Sequence, residues 1–257
     1  VTPMKTSLII GDIHGCLSTL QALIAKAGPV DEIVSVGDLI DRGPDSLGVI
    51  QYCIDNNIRV CLGNHEKMAI DALEDWLGLD HPYKRMGLLS SDWFNNGGSK
   101  VFDQLTDPTL KFTDWWLNGG EKTFKSISTD ALPFVVDYFK SLPIYIKLDH
   151  EANGLPVVVS HTCLNNYSYD VLNASQEDLR KHATSFVWSR SQAVDKAQFF
   201  NIYGHTPTDY LGLKGAVPKH SPTGINLDTG CVYDSEDRGV LTAILLPSME
   251  IIQQERL

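Results

Sequence analysis

Apolar positions in the first part of the chain fall into a pattern that repeats three times. Residues 5–11 make a mostly apolar run with the length of a buried strand; a short polar loop follows. Leu17, Leu20, Leu23, Ile24 and Ala27 then recur at helical spacing up to Gly28. The second copy has an apolar run over residues 32–37, a polar loop, and Leu47, Ile50, Cys53 and Ile54 on one helix face stopped by Asn56 and Asn57. The third has residues 59–62 as strand, Gly63-Asn64-His65 as loop, and Ala69, Ala72, Leu73 and Trp76 as helix face. Successive strand–helix units predict parallel strands with right-handed crossovers, and such sheets place ligands beyond the carboxyl ends of the strands. The three polar loops are therefore expected to converge.

Between residues 76 and 142 the periodicity blurs, and four tryptophans (Trp76, Trp93, Trp115, Trp116) stand in a mixed polar setting. This stretch reads as an irregular, mostly helical insertion. The strings Trp93-Phe-Asn-Asn-Gly-Gly and Trp115-Trp-Leu-Asn-Gly-Gly are alike, but two short copies do not make a repeat architecture. Short strands return at residues 156–160, 199–203, 224–227 and 240–246, and read as a second sheet facing the first. The expectation is a single domain over residues 1–257.

Composition narrows the function classes. The chain has 257 residues, 43% of them hydrophobic, enough to bury a substantial core. Its net charge of −11 argues against a broad nucleic-acid or anionic-membrane surface, which needs clustered Lys and Arg. The longest apolar stretches, such as residues 243–246, fall far short of the roughly 20 residues of a membrane helix. One Lys and no apolar core precede the first Gly-Asp, so no secretory signal is read and a cytoplasmic location is expected, with residues 1–3 taken as a vector remnant before Met4. Five cysteines (Cys16, Cys53, Cys61, Cys163, Cys231) without C-x-x-C pairing point to reduced thiols rather than disulfides or structural zinc.

Each early strand ends in groups that bind metals. These are Asp12 and His14 in Gly-Asp-Ile-His-Gly, Asp38 and Asp41 in Gly-Asp-Leu-Ile-Asp-Arg-Gly, and Asn64 and His65 in Gly-Asn-His-Glu; two later strands end at His161 and His205. Oxygen and imidazole donors without thiolates suit two divalent cations, Mn²⁺ first and Fe²⁺, Zn²⁺, Ni²⁺ or Co²⁺ as alternatives. Two cations roughly 3.5–4 Å apart share a hydroxide and clamp phosphoryl oxygens, which requires a bridging carboxylate. Asp38 is assigned that role because loops on either side of it supply further groups. Asp12, His14 and Asp38 then hold the first cation, and Asp38, Asn64, His161 and His205 the second. His65, adjacent to a ligand, protonates the leaving alkoxide, with Asp41 orienting its imidazole. Arg42 and Arg190 offer planar forks for the phosphate, with Asn64 beside them.

In their order and spacing, Gly11 to Gly15, Gly37 to Gly43 and Gly63 to Glu66 resemble the motifs of the phosphoprotein phosphatase family of calcineurin-like metallophosphoesterases. Ser160-His161 and Tyr203-Gly204-His205-Thr206-Pro207 stand where that family has its later histidines. Val187-Trp188-Ser189-Arg190 and Leu227-Asp228-Thr229-Gly230 are similar to its bacteriophage and bacterial serine/threonine phosphatase branch. The resemblance implies an α/β fold of four layers, with two facing mixed β-sheets flanked by helices. It also implies direct attack on phosphorus by a metal-bridging hydroxide without a phosphoenzyme. The implied substrates are phosphoserine and phosphothreonine proteins, with phosphotyrosine or small phosphoesters accepted by some members.

Other readings compete. Dinucleoside polyphosphate hydrolases share the early motifs but, as the resemblance implies, usually lack an acid at the position of Asp41, so its presence favours a protein phosphatase. A catalytically silent module that only binds phosphoproteins would be free to lose His65 or a ligand. Arg190 has surface ion pairing as its plain alternative, Asp228 either serves the site or caps a tight turn, and the tryptophans are read as core packing in preference to lining a substrate groove. His81, His150, His182 and His220 are assigned no role. Cys53 and Arg59 have the C-x₅-R spacing of cysteine-dependent phosphatases, but the intervening Ile-Asp-Asn-Asn-Ile contains no glycine and ends a helix, unlike an anion-binding loop.

Overall fold

The segment Ser7–Ile10 is buried along its whole length, as only a strand covered on both faces can be, and it forms β1 at the centre of the first sheet. Its side chains alternate: Leu8 and Ile10 face helical residues including Leu20 and Leu23, while Ile9 enters a second core with Val34, Val159, Ile202, Leu227 and Ile244. That second core draws residues from both sheets, so the two pack face to face. The computed structural model describes residues 5–78, 107–167 and 171–257.

The first sheet has the order β10-β9-β1-β2-β3. β2 (Glu32–Ser35) and β3 (Arg59–Val60) run parallel to β1, whereas β9 (Val240–Leu246) and β10 (Glu250–Glu255) are antiparallel to their neighbours. The crossovers are α1 (Leu17–Ala27) and α2 (Ser46–Asp55), the latter capped by Asp45, whose Oδ1 accepts the Gly48 amide at 2.8 Å. β3 ends at Val60 and α3 (Asn64–Gly78) begins after three intervening residues, so the loop lies earlier than expected and Asn64 and His65 sit in the first turn of a helix.

The second sheet, β4-β5-β6-β8-β7, comprises Tyr145–Ala152, Leu155–Ser160, Phe200–Tyr203, Gly224–Asn226 and Lys219–Ser221 in that spatial order. β5, β6 and β8 are mutually parallel, and β4 and β7 close the edges antiparallel. β4, absent from the expected strands, alternates buried and exposed residues as an edge strand with one solvated face does. One expectation is corrected: residues 240–246 belong to the first sheet, paired Ile9↔Ile244, and not to the second. Apolar runs show that a strand is buried on both sides but carry no information about which sheet holds it.

The described part of the insertion is helical, as expected. It consists of α4 (Asp107–Trp115), a widened turn over Trp116–Gly120, α5 (Glu121–Ser126) and α6 (Leu132–Ser141). Phe112, Trp115 and Trp116 cluster on Phe124 with ring centroids 5.2–6.4 Å apart, and α4 lies along α3. Trp93 and His81 lie outside the described residues. Two short helices, α7 (Gln176–Lys181) and α8 (Ala183–Val187), complete the cover. All five cysteines are free and buried, and burial pushes the Cys53 thiol up to about 12 while Arg59 pairs with Glu32, so the C-x₅-R spacing forms no site. His150 is a structural residue: its Nε2 meets Ser7 Oγ at 2.7 Å. Among the described residues, no helix is long and apolar enough to cross a membrane.

Candidate functional site

Each sheet contains three parallel strands, and each of those six strands delivers a polar side chain just past its carboxyl end. From the first sheet come Asp12 and His14 after β1, Asp38, Asp41 and Arg42 after β2, and Asn64, His65 and Glu66 after β3; from the second come His161, His205 and Asp228 after β5, β6 and β8. The carboxyl ends of both sheets thus open on one place, as expected of parallel sheets. A cavity of about 190 Å³ lies there, walled by His14, Asp38, Arg42, Asn64, His65, Arg190, His205 and Asp228.

Asp38 is common to two groups of close donor atoms, His14–Asp38–His65 and Asp38–His161–His205. Its Oδ2 is 3.6 Å from His14 Nε2 and 4.0 Å from His65 Nε2, and its Oδ1 is 3.4 Å from His161 Nε2. Asn64 Oδ1 lies 2.8 Å from both His161 Nε2 and His205 Nδ1. Asp12 belongs to neither group; it accepts the His205 amide at 3.1 and 3.2 Å, which ties it to the neighbouring strand end.

These donors fit divalent cations. The ring nitrogen Nδ1 of His14 is 2.8 Å from the carbonyl of Ile40, a contact that places the proton on Nδ1 and leaves a lone pair on Nε2, and Nδ1 of His161 is 3.2 Å from the carbonyl of Val36. The His14 Nε2 lone pair already receives a cation, the Arg42 guanidinium, at 3.0 Å. Among the described residues, the buried Nε2 of His205 has no hydrogen-bond partner. Burial and mutual repulsion raise the Asp12 carboxyl well above its usual range, and burial together with Asp38 raises Asp228 to about 7. Asp38 titrates lower than usual: burial opposes its ionisation, but His161, His65, His14 and His205 outweigh it. Burial is also the main cause of the lowered His14 and His205 values, His205 falling to about 3, which favours neutral, ligating imidazoles. Buried carboxylates of like charge and buried neutral imidazoles together define a pocket that positive charge stabilises.

The His65–Asp41 pair is fully enclosed. His65 Nδ1 lies 2.6 Å from Asp41 Oδ2, and its ring stands edge-on to His14 at 4.7 Å between centroids, leaving Nε2 facing the cavity. Both Asp41 oxygens have further donors from the insertion: Trp115 Nε1 at 2.9 Å and Thr123 Oγ1 at 2.6 Å.

Three contributors escaped the sequence reading. Glu66, fully buried, accepts the amides of Asp38 (2.9 Å), Leu39 (2.7 Å) and Gly63 (3.0 Å), tying the second loop to the third. The fourth residue of Gly-Asn-His-Glu was itself the available signal. Trp115 and Thr123 carried none, because contact with Asp41 needs a separation of over 70 residues to be bridged. Asp228 does both things weighed for it: it caps the turn at Gly230 (3.0 Å) and walls the cavity. Arg190 lines the cavity and makes no ion pair among the described residues. Of the tryptophans, Trp115 and Trp116 are core residues, while Trp188 is partly exposed at the cavity edge, 6.1 Å from the His205 ring.

His14, Asp38, Asp41, Arg42 and His205 all adopt positive φ, between 46° and 73°. Each such residue costs on the order of 1–3 kcal/mol, which charge-assisted hydrogen bonds worth about 1.5–3 kcal/mol each can offset. Space is equally constrained at Gly204, where a Cβ would lie 2.0 Å from Asp12 Oδ1. Gly204→Ala is therefore expected to displace that carboxylate and weaken divalent-metal binding by about tenfold or more, with calorimetric titration of Mn²⁺ as the measurement. Unchanged affinity would show that Asp12 does not contact the ion.

Comparison with known proteins agrees with this arrangement. The chain is 41% identical over 101 residues to serine/threonine-protein phosphatase 1 of Salmonella typhimurium, a match covering 38% of this chain and 41% of that protein. To serine/threonine-protein phosphatase 2 of the same organism it is 27% identical over 214 residues, covering 79% and 80%. A crystal structure provisionally named a diadenosine tetraphosphatase shares the fold, with a TM-score of 0.58 and 22% identity over 100% of this chain and 96% of that one. The model of the calcineurin-like phosphoesterases matches residues 5–240, and with the two facing sheets and the site at their shared end this places the chain in that family.

Proposed function

We propose that the protein is a metal-dependent phosphomonoesterase whose principal substrates are phosphoserine and phosphothreonine proteins. The observation that carries this reading is Asp38, shared between two groups of buried donors, one of which contains the His65 that Asp41 holds in an enclosed pair. Asp12, His14 and Asp38 would hold one divalent cation and Asp38, Asn64, His161 and His205 the other, with Mn²⁺ favoured by a donor set of oxygens and imidazoles. When bound, such ions supply a water activated for attack and neutralise charge on the phosphoryl group.

The chain's own residues do the rest. Arg42 and Arg190 line the cavity and present forked N–H donors to phosphate oxygens. His65 in its protonated form donates the Nε2 proton to the leaving alcohol oxygen as the P–O bond breaks, and Asp41 keeps the other ring nitrogen protonated and the ring in place. A cavity of about 190 Å³ has room for a phosphoryl group, since a single water needs only about 10–15 Å³ on the same measure. The two Salmonella phosphatases support the choice of protein substrates.

Purified protein with Mn²⁺ is expected to release phosphate from p-nitrophenyl phosphate and from a phosphothreonine peptide, and to lose both activities on chelation until Mn²⁺ is restored. No release from either ester with Mn²⁺ present would overturn the proposal. Preferential cleavage of diadenosine tetraphosphate would reassign the site to dinucleoside polyphosphates.

A further inference from the structure

The strained dipeptide Asp41-Arg42, with φ of 73° and 66°, makes hydrogen bonds with four residues of the insertion, Trp115, Gly119, Lys122 and Thr123, beside those it makes to Ser46, His65 and His14. Trp115 Nε1 and Thr123 Oγ1 donate to the two Asp41 oxygens at 2.9 and 2.6 Å. The Asp41 amide donates to Thr123 Oγ1 and to Ser46 Oγ, both at 3.0 Å, and these two hydroxyls meet at 2.8 Å. The Arg42 amide donates to the Gly119 carbonyl (3.2 Å), and Lys122 Nζ donates to the Arg42 carbonyl (2.8 Å). Gly119 itself has φ of 105°, and a Cβ on it would lie 2.8 Å from the Arg42 nitrogen, so the close approach requires glycine. Asp41, Trp115 and Thr123 are all fully buried.

A carboxylate with three side-chain donors and no solvent has one orientation. Oδ2 serves His65 Nδ1 and Trp115 together, and Oδ1 serves Thr123. Losing either insertion donor frees the carboxylate to rotate, and with it the imidazole whose Nε2 faces the leaving oxygen. We propose that Trp115 and Thr123 are positioning residues for proton donation by His65, and that the insertion serves turnover by aligning Asp41. This inference rests on the reading of His65 as the proton donor.

The leaving group provides the test. p-Nitrophenolate departs without a proton, whereas the alkoxide of phosphothreonine needs one, so misalignment of the donor separates the two esters while a general structural defect lowers both. Trp115→Phe keeps a ring and removes the N–H; Thr123→Val keeps the shape and removes the hydroxyl. Each is expected to lower kcat on a phosphothreonine peptide by about 10- to 100-fold with KM changed by less than about twofold and kcat on p-nitrophenyl phosphate by less than about threefold. Thr123→Ser, which restores the hydroxyl, should recover most of the turnover lost in Thr123→Val. Should the ring substitution fail to fold, the valine and serine variants carry the test.

His65→Asn, with metal content measured, is the reference. It should show a larger version of the same split with the bound metal unchanged. If it does so while the insertion variants lower both esters equally, act only on KM or change nothing, the positioning role is wrong and the donor reading stands. If His65→Asn shows no split, or loses metal, the donor reading fails and the positioning role falls with it.

Discussion

Asp38→Asn is expected to leave a folded protein without its pair of divalent cations, with turnover lowered by at least about 10³-fold, a loss equivalent to some 4 kcal/mol of transition-state stabilisation. The substitution is mild for the backbone. Asp38 sits at φ 53°, a conformation asparagine tolerates as well as aspartate, and the amide of His65, which donates to Asp38 Oδ1 at 3.0 Å, would find the asparagine oxygen in the same place. The lost feature is the charge at the centre of two imidazole groups. Elemental analysis of protein purified with excess Mn²⁺, alongside kcat on both esters, measures the effect. A variant that retained two ions would show that the two groups do not share this carboxylate.

Glu66→Ala should act on the fold as strongly as Asp38→Asn acts on the chemistry. It leaves the buried amides of Asp38, Leu39 and Gly63 without an acceptor. At about 1–3 kcal/mol for each unsatisfied group, a loss of about 3 kcal/mol or more lowers the thermal midpoint by roughly 6–12 °C in a chain of this size. Because two of those amides belong to the Asp38 loop, metal affinity should fall with it. Glu66→Gln, which retains one acceptor oxygen, should lose less on both counts. A midpoint for Glu66→Ala within about 2 °C of the parent would mean that water or another acceptor replaces the carboxylate.

The site was more legible than the fold around it. Loop residues with metal-binding side chains mark themselves by type and by their place after apolar runs, so Asp12, His14, Asp38, Asn64, His161 and His205 could all be named before their convergence was seen. Pairing of non-consecutive strands leaves no such local mark. The pairing of Val240–Leu246 with Ser7–Ile10 depends on which hydrophobic face meets which across more than 200 residues. Edge strands such as Tyr145–Ala152 alternate polar and apolar residues and include Lys, Asp, His and Glu, which weakens their apolar signal. Trp115 was correctly read as core from its size, yet its N–H points at Asp41, and neither composition nor period encodes the direction of one indole.

On the proposed function, the left-handed backbone at His14, Asp38, Asp41, Arg42 and His205 sets thermal resilience against turnover. Glycine at any of the five would relax the chain, and would remove an imidazole, a carboxylate or a guanidinium in the same step. A search for hardier variants that scores melting alone would therefore drift toward inert molecules at these positions, and the margin for engineering lies in the sandwich interior, where Ile9, Val34, Ile202 and Ile244 bear no chemistry.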